Sequence, residues 1–410
     1  MQLESSWHQL LPINYQSGKI LEYNPTTTLR PVLGPIKLFG RDNSPNVSIF
    51  KMAKLPRAGY HPLGKPYRLL ILATLSLFSM TVCWLAIGDN VYLIDVYFGA
   101  EGDDGKYAFA TILLPPSNNS EDAEEIDHYL TSTRILNYQL NHSKKTRSRK
   151  GIPFLVVVTP DIIPWKRNLL EREGATVIFA ERILPGTDWI EPMNERWKDV
   201  MLKLRLFELV DYDKILFLDA DTYLLKPMDK IFRDSSARPT KTGKFEKEIR
   251  ADEAPLPEKY LLATLPEIMH TTHPWPPTPW PRFNAGFFLL QPSIELFEYY
   301  ISLLTLRDRF DSTYPEQNLL NYAHRECGNM PWTHLKVGWN VNQPNINDVR
   351  RGVKSVHAKL WTEGSELEPI PDELRRMWET TKSEMENFYA EMGQRLEWLE
   401  LGSVNKFPRQ

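Results

Sequence analysis

KILFLDADTYLLKPMDKIF, residues 214–232, is the stretch that decides the fold. Ile215 to Leu218 are four apolar residues, and the carboxylates of Asp219 and Asp221 follow them directly. An apolar run this short is typical of a central strand that is covered on both faces of its sheet. Ligands of open α/β sheets bind at the carboxyl ends of such strands. Because two adjacent carboxylates repel each other, the pair favours a divalent cation; alternatively, one Asp caps a turn and the other is solvated.

Strand and helix patterns alternate around this run. Residues 106–114, 153–159 and 175–179 predict strands, and residues 126–140 and 165–172 predict helices between them. This rhythm is typical of an α/β fold with a mostly parallel sheet and right-handed crossovers. Later segments predict an amphipathic helix over 194–209, a surface insertion over 234–258, strands over 260–264 and 283–291, and helices over 294–307 and 372–399.

The composition excludes some classes of protein. The formal net charge is −3 over 410 residues, which gives no reason to expect nucleic acid as a partner. The two cysteines, Cys83 and Cys327, exclude a fold that is built on disulfide bonds.

Leu69 to Ile87 is a run without a charged side chain, and a helix of that length would span roughly 28 Å, close to the hydrocarbon thickness of a bilayer. Basic residues precede it and acidic residues follow it, which predicts a single-pass type II membrane protein. The alternative is a buried core helix. The predicted organisation is a cytosolic Pro/Ser-rich tail over 1–68, a transmembrane helix over 69–87, a stem over 88–105, a catalytic domain over 106–362 and a helical segment over 363–410.

Three further residues are candidates to complete a site with Asp219 and Asp221. Asn284 and Gly286 open a predicted strand, and Gly286 would let the backbone pass close to a ligand. His357 lies in a later strand-like segment. Carboxylates together with an imidazole suit Mn²⁺ or a similar ion. A lone histidine is more often a core or surface residue than a ligand.

The order of these motifs resembles the glycogenin-like family 8 glycosyltransferases. A helix with a lysine, Asp-x-Asp-Thr, Phe-Asn-x-Gly-x-Phe, an acidic residue followed by Gln and a His-x-Lys-x-Trp segment succeed one another within residues 106–362. The resemblance implies a Rossmann-like nucleotide-diphospho-sugar transferase fold of the GT-A type, a metal-dependent reaction and a UDP-sugar donor. It also implies transfer with retention at the anomeric carbon.

The resemblance assigns roles residue by residue. Asp219, Asp221 and His357 would hold Mn²⁺ or another divalent cation. The implied catalytic positions are Lys203, Asn284, Glu316 and Gln317. The implied donor-binding positions are Thr111, Tyr129, Lys203, Asp219, Ala220, Asp221, Gly286 and Lys359. The sequence departs from the family after His357, because Lys359 and Trp361 follow at two and four residues where family members have a Gly and, further on, a Lys.

The resulting hypothesis is transfer of a hexose or N-acetylhexosamine, with GlcNAc as first guess, from a UDP-sugar to a glycan acceptor in the Golgi or a neighbouring compartment. Two alternatives remain. A haloacid-dehalogenase-like phosphatase also sets Asp-x-Asp after an apolar strand, but with the first Asp as a nucleophile. A membrane-tethered binding protein would keep the fold without turnover. A soluble glycogen primer is disfavoured by the apolar run over 69–87.

Overall fold

A computed structural model describes residues 105–115, 127–183, 186–365 and 368–404 of this chain. The predicted tail over 1–68, the predicted membrane helix over 69–87 and nearly all of the predicted stem lie outside the described residues. Within these described ranges, no helix has both the length and the apolar character to cross a membrane.

The elements follow the predicted alternation. The strands are β1 (Tyr107–Leu113), β2 (Phe154–Val158), β3 (Thr176–Phe179), β4 (Lys214–Leu218), β5 (Thr222–Leu224), β6 (Thr240–Lys241), β7 (Lys259–Tyr260), β8 (Leu262–Pro266), β9 (Phe283–Leu290), β10 (Thr333–His334), β11 (Val341–Asn342) and β12 (Ser355–His357). The α-helices are α1 (His128–Asn141), α2 (Pro164–Arg172), α3 (Ile294–Leu304), α4 (Pro315–Ala323), α5 (Ile346–Arg351) and α6 (Asp372–Val404). In the described part of the chain, 3₁₀ helices cover Glu195–Glu208, Asp229–Arg233 and Glu246–Glu248.

The main sheet has seven strands in the order β10-β8-β9-β4-β1-β2-β3. Strands β4, β1, β2 and β3 are parallel to their neighbours within this group, and β9 runs antiparallel to both β4 and β8. The sheet is therefore mixed, and the predicted α/β class is confirmed. Since β8 runs in the same direction as β4, the carboxyl ends of β1, β4 and β8 meet at one edge of the sheet.

The side chains of strand β4 contribute to the hydrophobic cores on both faces of the main sheet. Ile215 and Phe217 belong to one core cluster, and Leu216 and Leu218 belong to the cluster on the opposite face. All four are fully buried. The alternation of side chains in a strand thus explains why the run contains no polar position.

Residues 195–208 differ from the amphipathic helix predicted over 194–209. They form a 3₁₀ helix, and every side chain from 200 to 207 is buried, so this part has no solvent-facing side. Lys203 and Arg205 are buried with the others because each forms an ion pair with a carboxylate. The polar residues that suggested an exposed face are therefore internal.

A second, three-stranded sheet, β11-β12-β5, lies beside the main one. The C-terminal helix α6 packs on it and on α1, with Leu374, Trp378 and Met385 in the same core cluster as Val356 of β12. The residues from Gly105 onward that the structure describes belong to one compact unit. The predicted helical segment over 363–410 thus contributes to the core of the catalytic domain.

Candidate active site

The ends of three strands, β4, β5 and β12, bring Asp219, Asp221 and His357 together. Asp219 follows β4, Asp221 precedes β5, and His357 ends β12, which pairs antiparallel with β5. Nε2 of His357 lies 2.9 Å from Oδ1 of Asp221 and 3.7 Å from Oδ2 of Asp219. One ligand atom from each residue falls within 4.8 Å of the others. Residues 138 positions apart in the chain thus form one cluster, as the motif order predicted.

The register between β4 and β9 fixes the position of Asp219. Leu218 pairs with Phe287, and the backbone N–H of Asp219 donates to the carbonyl of Gly286 at 2.8 Å. A Cβ atom on Gly286 would lie 2.7 Å from Oδ2 of Asp219 and still closer to the ring of His357. The absence of a side chain at position 286 therefore makes the cluster possible.

The charged groups of the cluster shift one another's pKa. Burial raises the pKa of Asp219, although Lys203 and His357 oppose the shift. Burial would also raise the pKa of Asp221. The interactions with His357 and Lys359 are stronger than this effect, so the pKa of that carboxyl is lowered. Burial would lower the pKa of His357, yet the contact with Asp221 raises it. The two carboxylates therefore favour the protonated form of the His357 imidazole.

Lys203 joins the cluster to a third carboxylate, that of Glu316. Its Nζ atom lies 2.7 Å from Oε1 of Glu316, 3.0 Å from Oδ1 of Asp219 and 3.3 Å from the carbonyl oxygen of Ala285. Lys203 is 3% exposed. Burial disfavours its charge, but Asp219 and Glu316 raise the pKa of the amine, so it remains an ammonium at neutral pH.

A chain of amide hydrogen bonds fixes Gln317 beside Glu316. The backbone N–H of Ala285 donates to Oε1 of Gln317 at 3.0 Å, and Nε2 of Gln317 donates to Oε1 of Glu267 at 3.0 Å. Both ends of the side-chain amide are therefore oriented. Asn284 is fixed in a similar way, since its Oδ1 accepts from the backbone N–H of Gly286 at 2.9 Å.

These groups line one cavity of about 250 Å³. The predicted site residues on its wall are Tyr129, Lys203, Asp219, Ala220, Asp221, Asn284, Gly286, Glu316, Gln317, His357 and Lys359. Thr111 is not among the lining residues. It is fully buried in β1, and the wall at this point is formed by residues 112–114, which continue toward the carboxyl end of the strand.

The segment after His357 departs from the family sequence, yet it still reaches the cavity. The backbone N–H of Ala358 donates to the carbonyl of Asp221 at 3.2 Å, and exposed Lys359 lines the wall. Trp361 packs edge-on against Tyr129, with ring centroids 5.2 Å apart. The short spacing after His357 therefore places the ammonium group of Lys359 and the ring of Trp361 beside the site.

Sequence reasoning missed Glu267, Trp197 and Tyr314, all of which line the cavity. Glu267 directly follows β8, so it lies at the same sheet edge as Asp219. The predicted strand over 260–264 stops two residues before the end of β8, which concealed this carboxylate. The ring centroids of Trp197 and Tyr314 lie 5.3 Å apart. No sequence pattern predicts that these two residues are in contact.

The three clustered side chains suit a divalent cation. They offer two carboxylates and an imidazole nitrogen, a mixed set of oxygen and nitrogen donors. Nδ1 of His357 is buried and has no hydrogen-bond partner among the described residues. Nε2, which faces both carboxylates, is the nitrogen that the local geometry presents to an ion.

Comparisons with known proteins support an enzyme that acts on sugars. No family model matches the chain. It is 30% identical over 294 residues to the uncharacterised protein C4C3.09 of Schizosaccharomyces pombe, covering 65% of this chain and 75% of that protein. It is 26% identical over 260 residues to galactinol synthase 1 of Solanum lycopersicum, covering 57% of this chain and 73% of that protein.

Among solved structures, mouse xyloside xylosyltransferase 1 in its apo form aligns with a TM-score of 0.40 and 14% identity, over 64% of this chain and 99% of that one. This similarity is too weak to support an argument about function. The similarity to galactinol synthase 1 of Solanum lycopersicum, in contrast, extends over most of that protein's length. The chain therefore belongs to the same family as C4C3.09 of Schizosaccharomyces pombe, and it is a sugar-transferring enzyme similar to the family 8 glycosyltransferases.

Proposed function

We propose that this enzyme transfers a hexose or N-acetylhexosamine from a UDP-sugar to a glycan acceptor, in a metal-dependent reaction with retention at the anomeric carbon. The observation that supports it best is the convergence of Asp219, Asp221 and His357 with the Lys203–Glu316 pair on one cavity. In such a transfer, the bond between the anomeric carbon and the phosphate oxygen breaks, and UDP leaves with the electron pair. An acceptor hydroxyl forms a new bond to that carbon and gives up its proton to the departing diphosphate or to solvent.

Asp219, Asp221 and His357 would hold the cation, for which Mn²⁺ is the first candidate. A divalent cation at this point would neutralise the negative charge that develops on the diphosphate leaving group. Lys359, exposed on the cavity wall, is placed to add positive charge on the same side. These groups together favour a diphosphate at this end of the cavity.

The sugar would lie on the other side of Asp219. Asn284, Glu316 and Gln317 lie there, and each has at least one polar atom fixed by a hydrogen bond or ion pair. Lys203 holds the Glu316 carboxylate in place and adds positive charge beneath the site. Fixed polar groups of this kind reduce the reorganisation that the reaction requires.

The nucleoside would lie at the wall formed by residues 112–114 and Tyr129. This surface combines aliphatic side chains with an aromatic ring, which suits a planar base. Thr111, buried one residue before this wall, would support the strand and would not contact the base directly.

The sugar and the acceptor are the open specificity questions. GlcNAc remains the first donor sugar to test, and the similarity to galactinol synthases makes a galactosyl donor the second. We further propose a single-pass type II protein of the Golgi or a neighbouring membrane, in which the apolar run over 69–87 is the anchor and the described domain is luminal.

The decisive experiment measures UDP release from a panel of UDP-sugars, with and without Mn²⁺, together with product formation on glycan acceptors. The Asp219→Ala, Asp221→Ala double variant should lose turnover by at least about 10²-fold, because the charge-stabilising centre is removed. Asp211→Ala, at an exposed position before β4, is the matched control. Wild-type turnover in the double variant would contradict the proposal, and phosphate release without a sugar product would favour a phosphatase.

Heat unfolding gives an independent test of binding. Mn²⁺ together with UDP should raise the melting temperature of the wild-type chain but not that of the double variant. At a ligand concentration of 100 times Kd, the expected stabilisation is about 2.7 kcal/mol. Binding without any turnover would instead support a non-catalytic sugar-nucleotide-binding protein.

A further inference from the structure

Two aromatic rings on the cavity wall have no role in the donor site proposed above. Trp197 is half-buried and Tyr314 is 41% exposed, and both side chains line the cavity. Their ring centroids lie 5.3 Å apart, with an angle of 36° between the ring planes. The backbone N–H of Met193 donates to the carbonyl of Thr313 at 3.1 Å, which joins the two segments that carry the rings. We call Trp197 and Tyr314 the aromatic pair.

The 3₁₀ helix over Glu195–Glu208 fixes the position of Trp197 relative to Lys203. Such a helix has three residues per turn, so side chains at i, i+3 and i+6 share one face. Trp197, Val200 and Lys203 have this spacing, and all three line the cavity. Because the rise is about 2.0 Å per residue, Trp197 lies roughly 12 Å along the helix from Lys203. The aromatic pair is therefore separated from the charged groups that Lys203 contacts.

Tyr314 continues the same wall at the start of α4. It directly precedes this helix, and its carbonyl accepts from the backbone N–H of Asn318 at 2.8 Å. Gln317 follows about one helical turn after Tyr314, and its side-chain amide donates to Glu267 at 3.0 Å. Gln317 thus connects Tyr314 to the carboxylate of Glu267 on the cavity wall.

Glu267 offers an oxygen that a ligand can use. Its Oε1 accepts from Gln317, whereas its Oε2 has no hydrogen-bond partner in the described part of the chain. The Glu267 side chain is partly exposed and lines the cavity. A carboxylate oxygen accepts hydrogen bonds only, so this position suits a hydroxyl group of a ligand.

Positive charge is concentrated at the other end of the cavity. The cationic side chains on the described cavity wall are those of Lys203, His357 and Lys359. The first two form ion pairs with carboxylates, and the third lies at the end proposed for the diphosphate. Arg282 donates to Asn318 and does not line the cavity. The wall near the aromatic pair therefore presents the carboxylate of Glu267 without a cation to balance it.

We propose that Trp197, Tyr314 and Glu267 form an acceptor subsite for an uncharged sugar ring, and that this subsite selects against sugars with an acid group. The inference rests on the proposed transferase function. The apolar C–H face of a pyranose would stack on the aromatic pair, and a ring hydroxyl would donate to Oε2 of Glu267. An acidic sugar would bring a second negative charge to Glu267 in a partly desolvated place, where repulsion between like charges is strong.

The test compares glycosides that differ only at C6, where one member of each pair has a hydroxymethyl group and the other a carboxylate. Methyl α-glucopyranoside is paired with methyl α-glucuronoside, and methyl α-galactopyranoside with methyl α-galacturonoside. Saturation-transfer NMR measures the dissociation constants on the full-length chain in detergent, with Mg²⁺ and UDP but no donor sugar. The neutral member should bind about tenfold more tightly than its acidic counterpart, and high salt should reduce the difference.

Substitutions separate the stacking from the charge. Trp197→Ala and Tyr314→Ala should each weaken binding of the neutral glycosides about tenfold, whereas Tyr314→Phe retains the ring and should bind like the wild type. Trp165→Ala is the matched control, because Trp165 is 53% exposed and does not line the cavity. Glu267→Gln removes the negative charge and should bring the affinities of the two members of each pair together.

Equal affinity for the neutral and acidic glycosides, or tighter binding of the acidic ones, would overturn the inference, as would no binding of any neutral glycoside. Full affinity in both alanine variants would overturn the role of the aromatic pair. The wild-type comparison involves no substitution, so an alanine variant that fails to fold does not affect it. Since no donor sugar is present, a chain that binds neutral glycosides but releases no UDP from any UDP-sugar would contradict the proposed function and not this subsite.

Discussion

Gly286 leaves open the space that the imidazole of His357 fills, because a Cβ atom at position 286 would lie 2.1 Å from Cε1 of His357. Since real Cβ atoms do not approach other atoms this closely, Gly286→Ala should displace His357 from the two aspartates. We expect turnover to fall by about 10²-fold with little change in folding, because removal of a charge-stabilising group has effects of this size. Steady-state kinetics and circular dichroism check both parts.

Gly338→Ala is the matched control for that variant. A Cβ atom at position 338 would meet no other atom within 4 Å, and Gly338 is not in a left-handed conformation. Its turnover should therefore stay close to the wild-type value. Equal activity of the two alanine variants would contradict the role of Gly286.

Lys203→Met should destabilise the fold as well as the reaction. It leaves Glu316, 8% exposed, and Asp219 without the ammonium that lies between them, and an unpaired buried charge costs about 3 kcal/mol or more. Urea unfolding measures this loss. Adding Glu316→Leu to Lys203→Met should recover part of the stability but none of the turnover, which separates the structural from the catalytic contribution.

Glu267 should act through Gln317. Glu267→Ala removes the acceptor of the Gln317 side-chain amide and frees it to rotate, whereas Glu267→Gln retains an oxygen that can accept the same hydrogen bond. We expect kcat to fall by roughly tenfold or more in the alanine variant, since a misplaced group near the reacting carbon is costly, and to recover largely in the glutamine variant. Equal losses in both variants would instead indicate that the negative charge of Glu267 is what matters.

His324 should make the stability of this domain depend on pH. Its Nδ1–H donates to the carbonyl of Met330 at 2.7 Å, so Nε2 accepts from the hydroxyl of Tyr300 at 2.6 Å, and the ring is neutral. Burial lowers the pKa of His324 to about 4 from 6.5. Between these values the unfolded chain binds the proton and the native chain does not, so stability is lost as the pH falls from 6.5 toward 4.

Between pH 6.5 and 4, this one residue should lower the free energy of unfolding by about 3 kcal/mol. Urea unfolding of the wild type and of His324→Gln at several pH values isolates it, because the variant retains the carboxylates that also titrate. The wild type should lose more stability than the variant as the pH is lowered. Parallel pH profiles would show that the His324 environment does not distinguish the two protonation states.

The insertion over 234–258 contains a buried carboxylate that its local composition did not predict. Its polar sequence predicted a surface segment, and most of it is exposed. The Glu253 side chain, however, is 4% exposed and accepts from Tyr299, Tyr322 and Arg309, which attach the insertion to α3 and α4. The three groups that donate to Glu253 lie far from it in the chain. The residues next to Glu253 in the sequence therefore do not indicate that it is buried.

The sequence by itself determined the α/β class, the strands β1 to β4, β8 and β9, and the position of Asp219 and Asp221 at the end of a buried strand, whereas His357 was assigned to them only through the resemblance to a known family. It could do so because strand patterns are local and because parallel strands bring their carboxyl ends to one edge. Only the tertiary structure decided which side chains complete the cavity. Glu267, Trp197 and Tyr314 reach it through the direction of β8 and the packing of two helices, and Lys203 is buried because Glu316, 113 residues later, offers a carboxylate. Such contacts depend on pairing between distant segments, for which no local pattern exists.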